Sequence, residues 1–320
     1  MLNWGLFFVL LGLVPLAVQQ GYLQPDRLLG WSQLWPLLLI GAGLGLILRG
    51  TLLEGIGGLV VAATFGIALG GLIAAGGDLG SFGACGDERG STAFPPREGR
   101  FEGTGKVEIA SDCGELQVVA EEGSTWRVAG TDADGAGPEV DATTAELGVR
   151  DQGSDGAPFG FLGTKDTWLI TLPAGPALDV DASVSAGEAT FDLRATQLAE
   201  FGLAINAGSA RVDLGGSQLA GPLAMSVNAG SGRLTLPDGS FDGDLSVNAG
   251  SLRICAPEGA ALRIVMDENI TGSNNFEARG LVRNDTTYES PGFETATDRI
   301  TLEASANAGS IALNPDGGCS

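Results

Sequence analysis

The chain has 320 residues, with 17 basic and 39 acidic side chains, no histidine and a formal net charge of −22. Without histidine, Ser-His-Asp and Cys-His catalysis and the commonest transition-metal ligand are excluded. So acidic a surface repels nucleic acid and acidic headgroups, and no nucleic-acid partner is expected.

Almost none of that charge lies early. Residues 1–76 carry only Asp26, Arg27, Arg49 and Glu54 as charged side chains. Three apolar runs fill the rest, at 2–18, 28–48 and 55–75. Each has about the 17–25 residues needed to cross hydrocarbon, so three transmembrane helices are expected, with the bilayer as their partner. A cleavable signal peptide fits poorly, because no Lys or Arg precedes the first run. Gly41 and Gly45, like Gly66 and Gly70, are spaced for close helix packing. Residues 77–100, rich in Gly, Ser and Pro, read as a flexible linker.

Residues 77–320 hold the remaining 15 basic and 37 acidic side chains, so the whole net charge belongs to this part. Its core is a repeated decapeptide: VSAGEATFDL at 184–193, INAGSARVDL at 205–214, VNAGSGRLTL at 227–236 and VNAGSLRICA at 247–256, with a shorter ANAGSIAL at 306–313. The central alanines Ala186, Ala207, Ala229 and Ala249 are 21, 22 and 20 residues apart, and Ala308 follows after 59, close to three more periods. Such a period is the signature of a solenoid.

Within a copy, Val247 and Ala249 share one parity, and Leu252 and Ile254 the other. A strand has period two, so the slip marks a corner at Gly250–Ser251, with alanine inside the bend. An earlier copy lies at VEIASDCGELQVV, where Cys113 replaces the alanine. The segments 125–128 and 166–175 read as strands. The stretches 129–163 and 265–298 read as loops or degenerate rungs. Nine or ten rungs would make a rod roughly 45 Å long. The corner positions Asn206, Gly208, Asn228, Gly230, Asn248, Gly250, Asn307 and Gly309 are read as structural, the asparagines as an amide ladder. The expected fold class is therefore a three-helix transmembrane bundle (1–76), then an all-β domain (101–320): a β-solenoid with rungs of about 20–22 residues, or alternatively a β-sandwich.

WPLLLIGAGLGLIL at 35–48 resembles the short membrane module of LiaF-like cell-envelope stress proteins. The NAGS rungs resemble the β-solenoid domains known as "putative adhesin". That resemblance implies a membrane-anchored sensor or modulator of envelope stress, or a surface adhesin or scaffold, with membrane signalling proteins or envelope polymers as partners. It carries no catalytic residues.

Catalytic chemistry is not expected. Cys85, Cys113, Cys255 and Cys319 lack CxxC spacing, which argues against a zinc site. No phosphate loop or dinucleotide fingerprint is present, so no cofactor is expected. DADGAGPEVD at 132–141 has a calcium-loop flavour without the distal glutamate, and reads as a turn. The even cysteine count leaves the pairing open and favours an oxidising compartment. With the N-terminus inside, three spans place the β domain outside the cell membrane.

One outward column stands apart. Arg211, Arg233 and Arg253 occupy equivalent positions on successive rungs, a stripe suited to a polyanion or an acidic sugar. The competing reading pairs each with a nearby carboxylate such as Asp192 or Asp213.

Overall fold

The structure, a computed structural model, describes residues 91–132, 134–151, 166–267 and 272–319. The chain divides into two units, Met1–Phe82 and Gly83–Ser320, and every described residue belongs to the second. The strands begin with β1 (Thr92–Ala93), β2 (Arg97–Arg100), β3 (Gly105–Glu121), β4 (Thr125–Asp132), β5 (Glu139–Ala142) and β6 (Glu146–Arg150). They continue with β7 (Asp166–Pro173), β8 (Leu178–Asp192), β9 (Gln197–Asp213), β10 (Gln218–Leu219), β11 (Leu223–Thr235) and β12 (Phe241–Cys255). The last are β13 (Ala261–Met266), β14 (Ser273–Asn274), β15 (Val282–Asn284), β16 (Thr287–Glu289) and β17 (Arg299–Leu313).

Six long strands stack in parallel, in the order β3, β8, β9, β11, β12, β17. Repeat residues meet their counterparts in register: Ala207, Ala229, Ala249 and Ala308 lie side by side, as do Gly208, Gly230, Gly250 and Gly309. This parallel stacking is a solenoid, not the antiparallel sandwich. Cys113 and Gly114 pair with Ala186 and Gly187, so the segment at 107–118 is a full rung.

Both ends depart from chain order. β17 stacks directly on β12, and the intervening 256–298 supplies no rung between them. Instead β13 and β14 pair with the far side of β17, and the antiparallel β16 and β15 continue outward from β13. At the other end β6 and β7 together cover the outer edge of β3. Beyond them lie the antiparallel β5, β4, β2 and β1. The stack is thus eight layers, about 34 Å tall, rather than nine or ten. The 59-residue gap before Ala308 is an excursion to the cap and back, which a period count mistakes for skipped rungs. Residues 92–100, read as linker, contribute β1 and β2.

The expected fold class needs a correction. Among the described residues there is no helix long and apolar enough to cross a membrane, and the helical pieces are single 3-10 turns at Glu277–Arg279 and Phe293–Thr295. The described fold is all-β. Its strands follow from the period-two alternation of apolar residues, whereas the helical part of the expectation rested on hydropathy, which reports a preference for apolar surroundings and not a backbone conformation. The spans at 2–18, 28–48 and 55–75 lie outside the described residues.

One apolar cluster runs the height of the stack. Its columns include Val180, Phe201, Leu223 and Leu302 on the first side of each rung, and Phe191, Val212, Leu234, Ile254 and Leu313 on the second. Large and small residues alternate across the interior. A Cβ on Gly232 would lie 2.7 Å from the Met225 methyl, so Met225 fills the space that glycine leaves. Phe191 and Phe201 meet edge to face, their centroids 6.0 Å apart.

At the asparagine corners the last buried residue before the corner and the first after it are five apart: Ile205 and Ala210, Val247 and Leu252, Ala306 and Ile311. This odd step is the phase slip. It is absorbed over Asn248–Ser251, and here too the structure corrects the expectation. Asn248, Ala249 and Ala308 are exposed, so alanine lies on the outside of the bend. Gly250 has φ +145°, and a Cβ there would lie 2.1 Å from the Gly230 carbonyl oxygen. The corner bulges outward, and each glycine lets the next rung's backbone approach.

Candidate functional site

The outward surface of the stack is built from columns, because equivalent residues of in-register rungs line up one strand spacing apart. Along the corner, Asn228 donates to Asn206 (2.8 Å), Asn248 to Asn228 (2.7 Å) and Asn307 to Asn248 (2.7 Å). The column continues through Ser185, whose hydroxyl donates to Asp112 at 3.3 Å. These amides bond along the stack. Their geometry is that of a structural ladder.

The second side of the rungs carries the basic stripe. Arg233 is in register with Arg211 on one side and Arg253 on the other. Thr190 and Ala312 bound this column, so the run of guanidinium groups is three rungs long. Two residues earlier on each rung, and on the same face, stand Ser209, Ser231, Ser251 and Ser310, also in register. Ser209, Ser231 and the three arginines line a shallow depression of about 300 Å³, together with Glu188 and Thr190.

The neutralising carboxylates are engaged elsewhere. Arg194 donates to both Asp192 oxygens at 2.7 and 2.6 Å and lies 3.9 Å from Asp213. The hydrogen bond from Arg194 holds the Asp192 carboxyl below the usual carboxylate range. Arg127, Arg150, Arg263 and Arg279 likewise each meet a carboxylate. Arg263 bridges Glu289 and Glu294 and lies over the Phe293 ring. Among the described residues, Arg211, Arg233 and Arg253 have no carboxylate at salt-bridge distance. The competing pairing with Asp192 or Asp213 is not what the structure shows, because Arg194 reaches both.

A larger groove, about 640 Å³, lies on the first side. Its floor is Gly202, Ala204, Ala224, Ser226 and Ser246, and Asp181, Asp244, Asp267 and Glu303 face it. The sequence reading missed it, although the succession of small outward residues at one register was the available signal. Among the described residues no group of three or more acidic or cysteine side chains is placed to hold a metal. The 132–141 segment closes on itself: both carboxylate oxygens of Asp132 accept backbone N–H groups, from Gly135 and Gly137, as in a turn.

Cys255 and Cys319 form a disulfide across 64 residues, pinning the C-terminus to the last repeat before the cap. Cys113 is also disulfide-bonded, and no described cysteine is free.

Residues 99–237, from β2 to just past β11, match the family described as the N-terminal domain of toast_rack, DUF2154. No curated protein matches the chain. Among solved structures, the chain is similar to "a putative cell adhesion protein from Clostridium sporogenes ATCC 15579", at 13% identity and a TM-score of 0.45, over 70% of this chain and 98% of that one. It is also similar to "a putative adhesin (BF0245) from Bacteroides fragilis NCTC 9343", at 14% identity and a TM-score of 0.32, over 71% and 99%. A third is "a putative adhesin from Parabacteroides merdae ATCC 43184", at 13% and 0.30, over 72% and 100%.

Proposed function

We propose that this chain is a bacterial envelope protein whose β-solenoid works outside the cytoplasm as a non-catalytic scaffold that binds anionic envelope polymers. One observation carries the reading: three stacked arginines without carboxylate partners on a strongly acidic chain. Like charges directly opposite one another on neighbouring strands cost stability. An acidic chain that aligns three cations and leaves them open has a surface suited to anions, not one that serves the fold.

Two further features support it. Disulfides such as Cys255–Cys319 persist in oxidising compartments and are rare in the cytosol. The face presents guanidinium and hydroxyl groups with no general acid–base pair, which suits recognition rather than turnover. Contact with membrane signalling proteins in stress sensing rests on the resemblance alone, and no feature of the described fold favours it.

Location is tested by protease treatment of intact cells together with thiol trapping. The region beyond Arg100 should be cleaved without lysis, and Cys255 and Cys319 should resist alkylation until reductant is added. Protection until lysis, with both cysteines alkylated directly, refutes the extracytoplasmic reading. Binding is tested by capture of the protein on anionic envelope fractions. Capture should weaken as salt is raised, because exposed contacts are screened beyond about 8–10 Å near physiological ionic strength.

A further inference from the structure

We propose that the adjacent serine and arginine columns form a binding site for a linear polymer of acidic sugars, laid along the solenoid axis with one ring to each rung, its carboxylates and hydroxyls shared between the two columns. This deepens the scaffold reading above and rests on it. Three observations point to this ligand class.

The first is spacing. Arg211, Arg233 and Arg253 repeat at the strand separation, about 4.7–4.9 Å. A chain of equatorially linked pyranose rings advances by nearly one such step per ring. Rings in 1,4-diequatorial linkage turn over at each step, so the carboxylates on one edge of a uronate chain recur at every second ring; they meet Arg211 and Arg253, while the middle ring presents hydroxyls to Arg233. A nucleic-acid duplex does not match: its phosphates repeat at about 3.4 Å per strand along the axis.

The second is chemistry. A guanidinium fork takes a carboxylate through two parallel hydrogen bonds. Beside each of the three arginines stands a serine, at 209, 231 and 251, whose hydroxyl both donates and accepts. That pairing suits a ring bearing both a carboxylate and hydroxyls. No aromatic side chain lines the depression, so the stacking that holds nucleic-acid bases is absent from it.

The third is extent. The basic column ends at Thr190 and Ala312, and Glu188 caps the serine column next to Ser209. The site is therefore three rings long, and Glu188 disfavours a further anion at that end.

The test uses the purified full-length chain and β-1,4-linked glucuronate oligomers of one to six residues, with neutral oligomers of the same lengths and inorganic polyphosphate as comparators, by titration calorimetry. Affinity should rise little from one ring to two, about three-fold with the third ring, the scale of an added exposed ion pair, and then nearly level off. Raising the salt should weaken the trimer, and the neutral oligomers should not bind. Arg211→Gln, Arg233→Gln and Arg253→Gln together should abolish binding with an unchanged melting temperature. If the triple variant fails to fold, Arg253→Gln alone should lose about three-fold. Ser231→Ala should weaken glucuronate but not polyphosphate.

The proposal is overturned if neutral oligomers bind as well as acidic ones, or if a folded triple variant retains binding. It is overturned equally if no glucuronate binds at low salt. Polyphosphate binding as tightly as glucuronate of equal charge would replace it with unspecific charge attraction. Each of these outcomes leaves the protease and thiol measurements untouched, so failure here is separable from failure of the extracytoplasmic reading.

Discussion

Three glycines separate two contributions to corner stability. Gly239 has φ +92° and nothing within 4 Å of a built Cβ, so Gly239→Ala carries only backbone strain. Gly208 lies outside the left-handed region, but its Cβ would sit 2.4 Å from the Gly187 carbonyl oxygen, so Gly208→Ala carries only the contact. Gly250 combines φ +145° with a Cβ 2.1 Å from the Gly230 oxygen. An unstrained carbon–oxygen approach is about 3.3–3.6 Å, so the corner at Gly250 must open by more than 1 Å, roughly a quarter of the rung spacing. That opening weakens about two inter-rung hydrogen bonds at about 1 kcal/mol each. The left-handed backbone adds about 1–2 kcal/mol.

The expected losses are therefore about 3–4 kcal/mol for Gly250→Ala, about 2 for Gly208→Ala and about 1–2 for Gly239→Ala. For a domain of this size, about 3 kcal/mol lowers the melting temperature by roughly 6–12 °C. Scanning calorimetry and urea unfolding of the full chain would measure this, with an unchanged urea slope showing that the unfolded state is comparable. If Gly250→Ala and Gly208→Ala both melt like the parent, the glycine column does not set the rung approach and the corner reasoning fails. If Gly239→Ala proves the costliest, backbone strain outweighs the stacking contact.

Two more outcomes follow from named contacts. Asn248 bonds both Asn228 and Asn307, whereas Asn206, at the end of the amide run, bonds Asn228; Asn248→Ala should cost about 1–2 kcal/mol and Asn206→Ala about half as much, and equal urea midpoints would refute a continuous ladder. Burial, then repulsion from Asp112, raises the Asp151 carboxyl above the ordinary aspartate range, so the folded state binds that proton more tightly than the unfolded state. Its charged form therefore costs stability above the folded pKa, and the cost is relieved as pH falls through it. Asp151→Asn should be more stable than the parent at pH 7, with the difference shrinking on acidification; a gain independent of pH refutes the electrostatic cause.

The repeat was legible because each rung writes its own alternation. The buried columns, the odd step across the corner and the asparagine ladder all follow from parity and period, and so did the full rung hidden at 107–118. The arginine column was legible as a column, but its lack of partners was not. That depended on Arg194 capturing Asp192 and Asp213, a local competition invisible to rung equivalence. The position of alanine on the outer side of the corner was equally hidden, since parity shows where the phase slips but not which way the chain bulges. The first-side groove was legible only in part: its small outward residues follow the register, but its walls include Val265–Asp267, from the end of β13 and just past it.

The deepest miss concerns order, and its physical reason lies in the edges. A parallel stack leaves an open strand at each end, and an open edge is a template for unwanted pairing. In this chain the terminal repeats are not terminal in space. β3 is covered by β6 and β7, drawn from the stretch after it, and β17 by β13 and β14, drawn from the stretch before it. The covering strands are short, irregular and continued by antiparallel partners, so the stack does not end on a long parallel strand. The regular copies form the interior, and shorter strands from the stretches between the copies are the caps, as repeat architectures require of their ends. The departure of these covering strands from the repeat is thus a consequence of position. A cap strand has the stack on one side only, so it cannot repeat the pattern of a rung that has neighbours on both.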